Sequence, residues 1–362
     1  LSLVAIMPRC LPAQVSWATA KTEAAPAERP QGAPEVPSLL KLDYARTSIQ
    51  PNFVLDPVSE SERAALDGNN KIELIPVGIT REIPLPYRNG LKSSGLGWTR
   101  LNDGGMAAAF TVTSPGAAAI RLGIHASAIE RGVEIRFFSL EHPEQVIGPY
   151  KAAELLAHST TKENLAAQLD DDPHLFWSPV IEGEGLGVEI FMPDGLSSES
   201  LSISIPLVSH LFSSVLISEK KRLLDASSSD SCNVDVACQA QPWPTLSNSV
   251  AKTVVTLGAS SYACTGTLLA DKDPNTFIPY FITSSECVPS QEAASTINTY
   301  WLYQRDACNG ADPTSLIQLT RGATLLSSDK AIGFSFLRLN EPAPAGVTYA
   351  GWTTETVPKN AE

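Results

Sequence analysis

Two neighbouring runs of sequence between residues 262 and 287 decide how the second half of the chain is interpreted. Residues 262–269 read Tyr-Ala-Cys-Thr-Gly-Thr-Leu-Leu, and residues 279–287 read Pro-Tyr-Phe-Ile-Thr-Ser-Ser-Glu-Cys. Both contain the short runs of apolar and β-branched residues that predict strands. Further strand-like runs in this half lie at 250–257, 296–303, 317–326 and 334–339. Six short strands are enough for one small closed barrel.

The first half has a similar series of short apolar runs separated by turns such as Asp103-Gly104-Gly105 and Ser114-Pro115-Gly116. The runs lie at 72–79, 106–113, 118–124, 133–138, 186–192 and 201–208. This regular succession of short strand-like runs and turns predicts an antiparallel β-sandwich. In this interpretation only residues 151–169 have helical character. We therefore expect an all-β protein, with an N-terminal sandwich followed by a single six-stranded barrel.

Composition divides the chain into five segments. Ala18-Thr19-Ala20 has the small-x-small pattern of a signal-peptidase site, and the exposed basic run Lys220-Lys221-Arg222 would be easily cut by a protease. The predicted segments are a signal-peptide remnant at 1–20, a linker at 21–39, the sandwich at 40–217, a processing linker at 218–230 and the barrel at 231–362.

Charge and cysteine usage exclude several function classes. The formal net charge is −13, and no stretch places Lys and Arg between aromatic residues, so nucleic acid is a poor partner. No apolar run approaches the roughly 20 residues of a membrane span. Five of the six cysteines lie between residues 232 and 308, without Cys-x-x-Cys pairs or intervening histidines. Disulfides in a secreted or extracytoplasmic protein explain these cysteines more simply than a zinc site does. Because five is an odd number, at least one of the cysteines has no partner among the other four.

Several short motifs occur in the order found in one protease family. They are 231–238 (Ser-Cys-Asn-Val-Asp-Val-Ala-Cys), 264–269, 279–283 followed by Cys287, Tyr300-Trp301, 336–340 and 350–352. On these motifs residues 231–352 resemble the first half of the lysyl-endopeptidase group of trypsin-like serine peptidases. The resemblance implies disulfides Cys264–Cys287 and Cys238–Cys308. It also implies that Cys232 pairs with a second barrel, which this sequence does not show, so Cys232 is expected to be unpaired.

The residues that the family's chemistry needs are replaced in the matching motifs. A serine protease requires a nucleophilic Ser, a His that moves its proton, and an Asp that orients the His. The resemblance places Glu286 at the His position and Gly333 at the Asp position, and Gly-Asp-Ser-Gly does not occur. No histidine follows His210, and a carboxylate is a much weaker base than an imidazole. Asp329, four residues before Gly333, would lie about 13 Å away in an extended chain.

Other candidate site residues have simpler structural explanations. The histidines at 125, 142, 158, 174 and 210 show no metal-ligand spacing, and Asp170-Asp171-Asp172 lacks the flanking ligands of a calcium loop. Gly183-x-Gly185-x-Gly187 opens no helix and predicts a hairpin turn rather than a nucleotide-binding loop. Trp98, Phe176 and Trp177 are expected in the core. We expect no metal and no cofactor.

The first half resembles the family's pro-region more loosely. Trp98-Thr99-Arg100, Ser114-Pro115-Gly116-Ala117 and Phe176-Trp177-Ser178-Pro179 carry this likeness. It implies a sandwich that assists folding of the protease and blocks its cleft until it is removed. Such a role needs surface complementarity rather than reactive groups.

The sequence leaves three functions open. The first is a secreted lysyl-endopeptidase-like precursor, acting on protein or peptide substrates by resemblance, truncated or degenerate and inactive as this chain. The second is a non-catalytic pseudo-peptidase that binds peptides or a partner protease. The third is a pro-domain-like inhibitor with a vestigial tail. The enzyme hypothesis predicts that the coding DNA continues into Gly-Asp-Ser-Gly, whereas the binding hypotheses predict a stop codon.

Overall fold

A computed structural model of the chain describes most of the two halves. The described residues are 19–25, 40–42, 49, 51–68, 74–84, 91–142, 144–159, 175–197, 201–213, 234–241, 243–273, 275–305, 307–308, 310 and 317–356. Strands dominate these residues and the helices are short, so the fold is all-β, as the sequence predicts. Among the described helices, none has the length and apolar character needed to cross a membrane.

The N-terminal half is built from strands that match most of the predicted runs. These strands are β1 (Thr19–Ala20), β2 (Glu23–Ala24), β3 (Asn52–Val54), β4 (Ile75–Glu82), β5 (Leu91–Lys92), β6 (Thr99–Arg100), β7 (Met106–Thr113), β8 (Ala119–Ala128), β9 (Glu134–Ser139), β10 (Val146–Lys151), β11 (Phe176–Trp177), β12 (Ile181–Glu182), β13 (Gly185–Met192) and β14 (Ser202–Leu211).

Two sheets form the N-terminal sandwich. One has the order β10-β9-β13-β7-β3, with β6 beside β7, and the facing one contains β11 and β12 on β8, then β14 and β4. Phe110, Phe137, Leu122 and Val188 are buried in the cluster of apolar side chains that these strands share. The pairing of β3 with β7 is parallel, so the predicted purely antiparallel arrangement fails at this edge strand.

The C-terminal half is a curled sheet that forms a half-barrel, called the barrel below. Its strands are β15 (Val250–Leu257), β16 (Ser260–Leu269), β17 (Tyr280–Ser284), β18 (Asn298–Trp301), β19 (Ile317–Leu319), β20 (Ala323–Asp329), β21 (Phe334–Leu339), β22 (Thr348–Tyr349) and β23 (Trp352–Thr353). The predicted single strand at 317–326 is two strands, because the chain bends at Gly322, where φ is 68°. The two strands lie at opposite ends of the curled sheet, since β19 pairs with β18 and β20 pairs with β21.

Helices are more numerous than the sequence predicts. They are α1 (Glu60–Gly68), α2 (Ala152–Ser159), α3 (Trp243–Ser247) and α4 (Gln291–Thr296). Only α2 falls in the predicted helical segment, and residues 160–169 lie outside the described residues. Helix α4 begins after Ser290, whose hydroxyl accepts from the backbone N–H of Ala293. At nine residues or fewer, these helices are too short to produce a clear 3.6-residue pattern.

One strand joins the sandwich to the barrel. Strand β4 pairs with β14 of the sandwich on one side and with β16 of the barrel on the other. A separate buried cluster seals the junction: Ala119, Val180 and Leu211 of the sandwich pack with Val254 and Tyr300 of the barrel. The two halves therefore share a continuous sheet as well as a packed apolar contact.

Polar contacts also cross this junction. The buried guanidinium of Arg121 donates through Nη2 to the carbonyl oxygen of Thr296 over 2.8 Å and lies 5.3 Å from the ring centre of Trp177. Arg321 of the barrel pairs with Glu154 of α2. Arg121 is fully buried, whereas Arg321 and Glu154 are partly exposed, and the buried contact makes the relative position of the two halves specific.

Residues 19–25, which the sequence assigns to the end of a leader and the start of a linker, contain two short strands. Strand β1 pairs antiparallel with β23, and β2 pairs antiparallel with β22. The predicted boundary at residues 20 and 21 therefore falls between two strands that both lie on the barrel. The rest of the predicted leader (1–18) and linker (26–39) lies outside the described residues.

Candidate active site

The turn that carries Glu286 follows directly from strand β17. The hydroxyl of Thr283 donates to the carbonyl oxygen of Thr265 at 2.8 Å, which ties the end of β17 to β16. The backbone N–H of Val288 then donates to the carbonyl oxygen of Ser284 at 3.1 Å, closing a turn. The side chain of Glu286 is exposed at this turn.

A disulfide fixes the same turn from beneath. Cys287 is bonded to Cys264 of β16, with the two Cα atoms 6.3 Å apart, and both residues are buried in the barrel core. A second disulfide joins Cys238 to Cys308. These are the pairings that the family resemblance implies. Cys232 and Cys10 lie outside the described residues.

Gly333 ends the turn between β20 and β21. Its φ is +86°, a region that side chains of L-residues rarely adopt, and a Cβ built there would meet nothing within 4 Å. Its backbone N–H donates to the carbonyl oxygen of Asp329 at 2.8 Å. The chain is therefore not extended here, and the expected separation of about 13 Å between these residues is wrong.

The carboxylate of Asp329 is already used within this turn. Its Oδ1 atom accepts from the backbone N–H groups of Ala331 at 2.7 Å and Ile332 at 3.1 Å. This is the local bonding by which aspartates stabilise turns. Asp329 is therefore nearer to Gly333 than expected, and its side chain stabilises the turn.

The two turns meet at one edge of the barrel. Ser285, next to Glu286, donates its backbone N–H to the carbonyl oxygen of Gly333 at 3.2 Å, and Ser284 lies opposite Phe334 in the ladder between β17 and β21. Under them, the hydroxyl of Ser335 donates to the carbonyl oxygen of Val288 at 2.6 Å. The fold thus places positions 286 and 333 together, where it presents a carboxylate and a glycine.

Comparison with known protein families agrees with this architecture. A family model described as the lysyl endopeptidase N-terminal domain matches residues 55–212. A second, described as the lysyl endopeptidase C-terminal domain, matches residues 226–362. The chain belongs to the lysyl endopeptidase family.

A curated relative supports the same assignment. The lysyl endopeptidase of Pseudomonas aeruginosa is 31% identical to the chain over 291 residues, which make up 76% of this chain and 59% of the relative. The match therefore spans less than two thirds of that lysyl endopeptidase.

In this lysyl endopeptidase family member, the N-terminal half does not cover Glu286 or Gly333. Glu286 is exposed, and the space around Gly333 is open. The contacts between the halves described above involve strand β16, Val254, Thr296, Tyr300 and Arg321, and none of them involves the turns after β17 and β20. In the described residues, the cleft-blocking role that the resemblance implies for the pro-region is therefore not seen at these positions.

The histidines lie in the N-terminal half. His125 is in β8 and His158 is in α2. The Nδ1 atom of His142 is 3.7 Å from a carboxylate oxygen of Glu144. His174 and Asp170-Asp171-Asp172 lie outside the described residues. No three His, Cys, Asp or Glu side chains in the described part of the chain form a group that could hold a metal ion.

One buried Ser–His pair was missed by sequence reasoning. The hydroxyl of Ser114 lies 2.9 Å from Nδ1 of His210, and His210 is 1% exposed. Burial, followed by the charges of Arg81 and Arg63, lowers the pKa of His210 to about 4. The imidazole is therefore neutral at pH 7, and its burial keeps substrates away. The partners are 96 residues apart, so no motif spacing could have revealed them.

The remaining sequence candidates have structural roles. Phe176 and Trp177 are buried, and Trp98 packs against the sandwich core. Gly183 has φ of +95° in the turn between β12 and β13, as a hairpin turn requires. Gly187, however, lies within β13, where a Cβ would meet the ring of Phe138 at 2.1 Å. The glycine run therefore serves a turn and a close packing contact.

Proposed function

We propose that this chain is the pro-region and first barrel of an extracytoplasmic precursor in the lysyl endopeptidase family, and that these residues do not hydrolyse peptide bonds. The sandwich at 40–217 corresponds to the pro-region, the barrel at 231–362 to the start of the protease, and 218–230 to the processing linker. The substrates of such a family would be proteins or peptides cut after a basic residue.

The contact between Ser285 and Gly333 carries the proposal of inactivity. Because this backbone hydrogen bond fixes the two turns together, positions 286 and 333 are neighbours, as a catalytic His and Asp must be. Glu286 cannot exchange a proton with a serine hydroxyl at neutral pH as an imidazole can, and glycine offers no group to orient such a base. The barrel segment 231–362 contains no histidine to replace them.

The two disulfides support an extracytoplasmic location. Cys264–Cys287 and Cys238–Cys308 link distant parts of one small domain. Such bonds persist in oxidising compartments and are rare in the reducing cytosol. This agrees with a protease family whose members act on proteins outside the cell.

Incubating the purified full chain with lysyl and arginyl p-nitroanilides and with a fluorophosphonate probe tests the proposal. An active lysyl endopeptidase run in parallel shows that substrates and probe work. We expect neither turnover nor labelling of this chain. Turnover that a serine-directed inhibitor abolishes would overturn the inactive assignment.

A further inference from the structure

The strand pair β22–β23 near the end of the barrel receives a segment from the start of the chain. Thr19 lies opposite Thr353, Ala20 opposite Trp352, Glu23 opposite Tyr349 and Ala24 opposite Thr348. These antiparallel pairs keep one constant register along both short ladders. Residues 19–25 and 347–353 therefore form a single continuous pairing that is interrupted only near Gly351.

Specific contacts fill this interruption and extend the pairing. The backbone N–H of Gly351 donates to the hydroxyl of Thr22 at 3.1 Å, and the N–H of Ala25 donates to the carbonyl oxygen of Val347 at 3.0 Å. Ala20 and Ala25 both pack against the buried cluster of the barrel core. The segment thus makes main-chain bonds and also contributes two small apolar side chains.

Gly351 is the feature that makes the approach possible. A Cβ at this residue would lie 2.7 Å from the carbonyl oxygen of Ala20 and 2.7 Å from the backbone nitrogen of Thr22. Both are backbone atoms, which cannot swing aside as a side chain can. The φ of Gly351 is not in the left-handed region, so a glycine is needed here for close contact rather than for a turn.

The other edge of the same strand pair is bound to the barrel. Ala350 donates its N–H to the carbonyl oxygen of Leu268 at 2.9 Å, and its own carbonyl oxygen accepts from Ala270 at 2.9 Å. The indole of Trp352 donates to the carbonyl oxygen of Ala270 at 2.6 Å. Strands β22 and β23 are therefore held in place by β16 and its following residue, and they present their second edge to an added strand.

We propose that the barrel edge at residues 347–353 is a recognition site for an extended peptide segment with small side chains, and that residues 19–25 are its occupant. The site binds by strand addition, in which main-chain hydrogen bonds supply affinity and alternate side-chain positions supply selectivity. The segment stays on the barrel through this recognition and not merely through its covalent link to the sandwich. This binding is independent of any protease activity.

Cutting the full chain between the segment and the sandwich tests the proposal. A recognition sequence for a specific protease is inserted between residues 30 and 37, and the N-terminal piece is released from its tether by cleavage. Size-exclusion chromatography and native mass spectrometry over a dilution series then give the apparent Kd of the piece. We expect the piece to remain bound, and Gly351→Val to weaken it roughly tenfold or more.

Gly97→Val is the matched control. A Cβ at Gly97 meets nothing within 4 Å, so this variant should retain the piece like the parent chain. Hydrogen exchange of the amides of residues 264–269 reports whether each barrel is folded. If Gly351→Val does not fold, Ala20→Glu with Ala25→Glu changes the segment instead and should also release it. Release of the piece from the parent chain, or equal retention by all variants, would overturn the proposal.

Discussion

The backbone N–H of Ser285 donates to the carbonyl oxygen of Gly333 across 3.2 Å, so two turns that are distant in sequence meet at one barrel edge. The family resemblance matches these positions to a catalytic imidazole and its orienting carboxylate. This chain has Glu286 and Gly333 there, and neither side chain can perform that chemistry. The contact between the two turns and the identity of their side chains together lead to the proposal of an inactive family member.

Replacing Gly333 by aspartate should cost stability rather than restore function. We expect Gly333→Asp to lower the free energy of unfolding by about 1 kcal/mol, because φ of +86° disfavours any side chain even where space is open. Urea denaturation measures the change, with Gly97→Asp as a surface control. A stability equal to that of the control would show that the turn accommodates a side chain without strain.

Removing the disulfide beneath Glu286 should destabilise the barrel. We expect the double variant Cys264→Ala with Cys287→Ala to lose about 3 kcal/mol, because the bond closes a loop spanning 23 positions in the unfolded chain. The urea midpoint of the oxidised parent and the variant gives this difference. An unchanged midpoint would contradict a stabilising role for this bond.

Acid should weaken the sandwich through His210. Its folded-state pKa of about 4 lies below the unfolded value near 6.5, so the unfolded chain takes up a proton first as pH falls. The free energy of unfolding should therefore decrease between pH 6.5 and pH 4, by at most about 1.4 kcal/mol per pH unit. His210→Gln should flatten this slope, whereas His142→Gln should not. Identical slopes in the two variants would exclude His210 as the cause of the pH dependence.

Breaking the ion pairs of Arg321 should loosen the junction between the halves. Its Nη1 atom lies 3.0 Å from Oε1 of Glu341, which is only 7% exposed, and its Nη2 atom donates to the carbonyl oxygen of Pro149 at 3.2 Å. Arg321→Met leaves that carboxylate without its cation, and we expect a loss of about 3 kcal/mol. Arg338→Met, at an exposed residue, should change thermal unfolding little. Equal losses of stability in the two variants would refute the stabilising role of Arg321.

The barrel without the sandwich should be poorly soluble. Val254 and Tyr300 are 1% and 2% exposed and pack against the sandwich, so a fragment of residues 227–362 would expose both. We expect low solubility or aggregation on size-exclusion chromatography. A monomeric fragment that unfolds cooperatively would contradict this expectation.

Local sequence patterns were sufficient for most strands. The apolar runs at 106–113 and 186–192 predict β7 and nearly all of β13, because short apolar runs bounded by turn signals are typical of buried strands. Short helices such as α4, and the break of the strand at Gly322, were not predicted. In both places the local pattern is shorter than the window needed to recognise it.

The sequence alone established the family, the all-β class and the identity of the residues at positions 286 and 333, since these depend on ordered local motifs. Only the tertiary structure showed that Asp329 caps its own turn, that Ser114 meets His210, and that residues 19–25 lie against Gly351. Each of these contacts joins groups whose distance depends on how the chain turns or on packing between distant strands. No residue spacing encodes such a distance, because it is fixed only when the sheets and turns have formed.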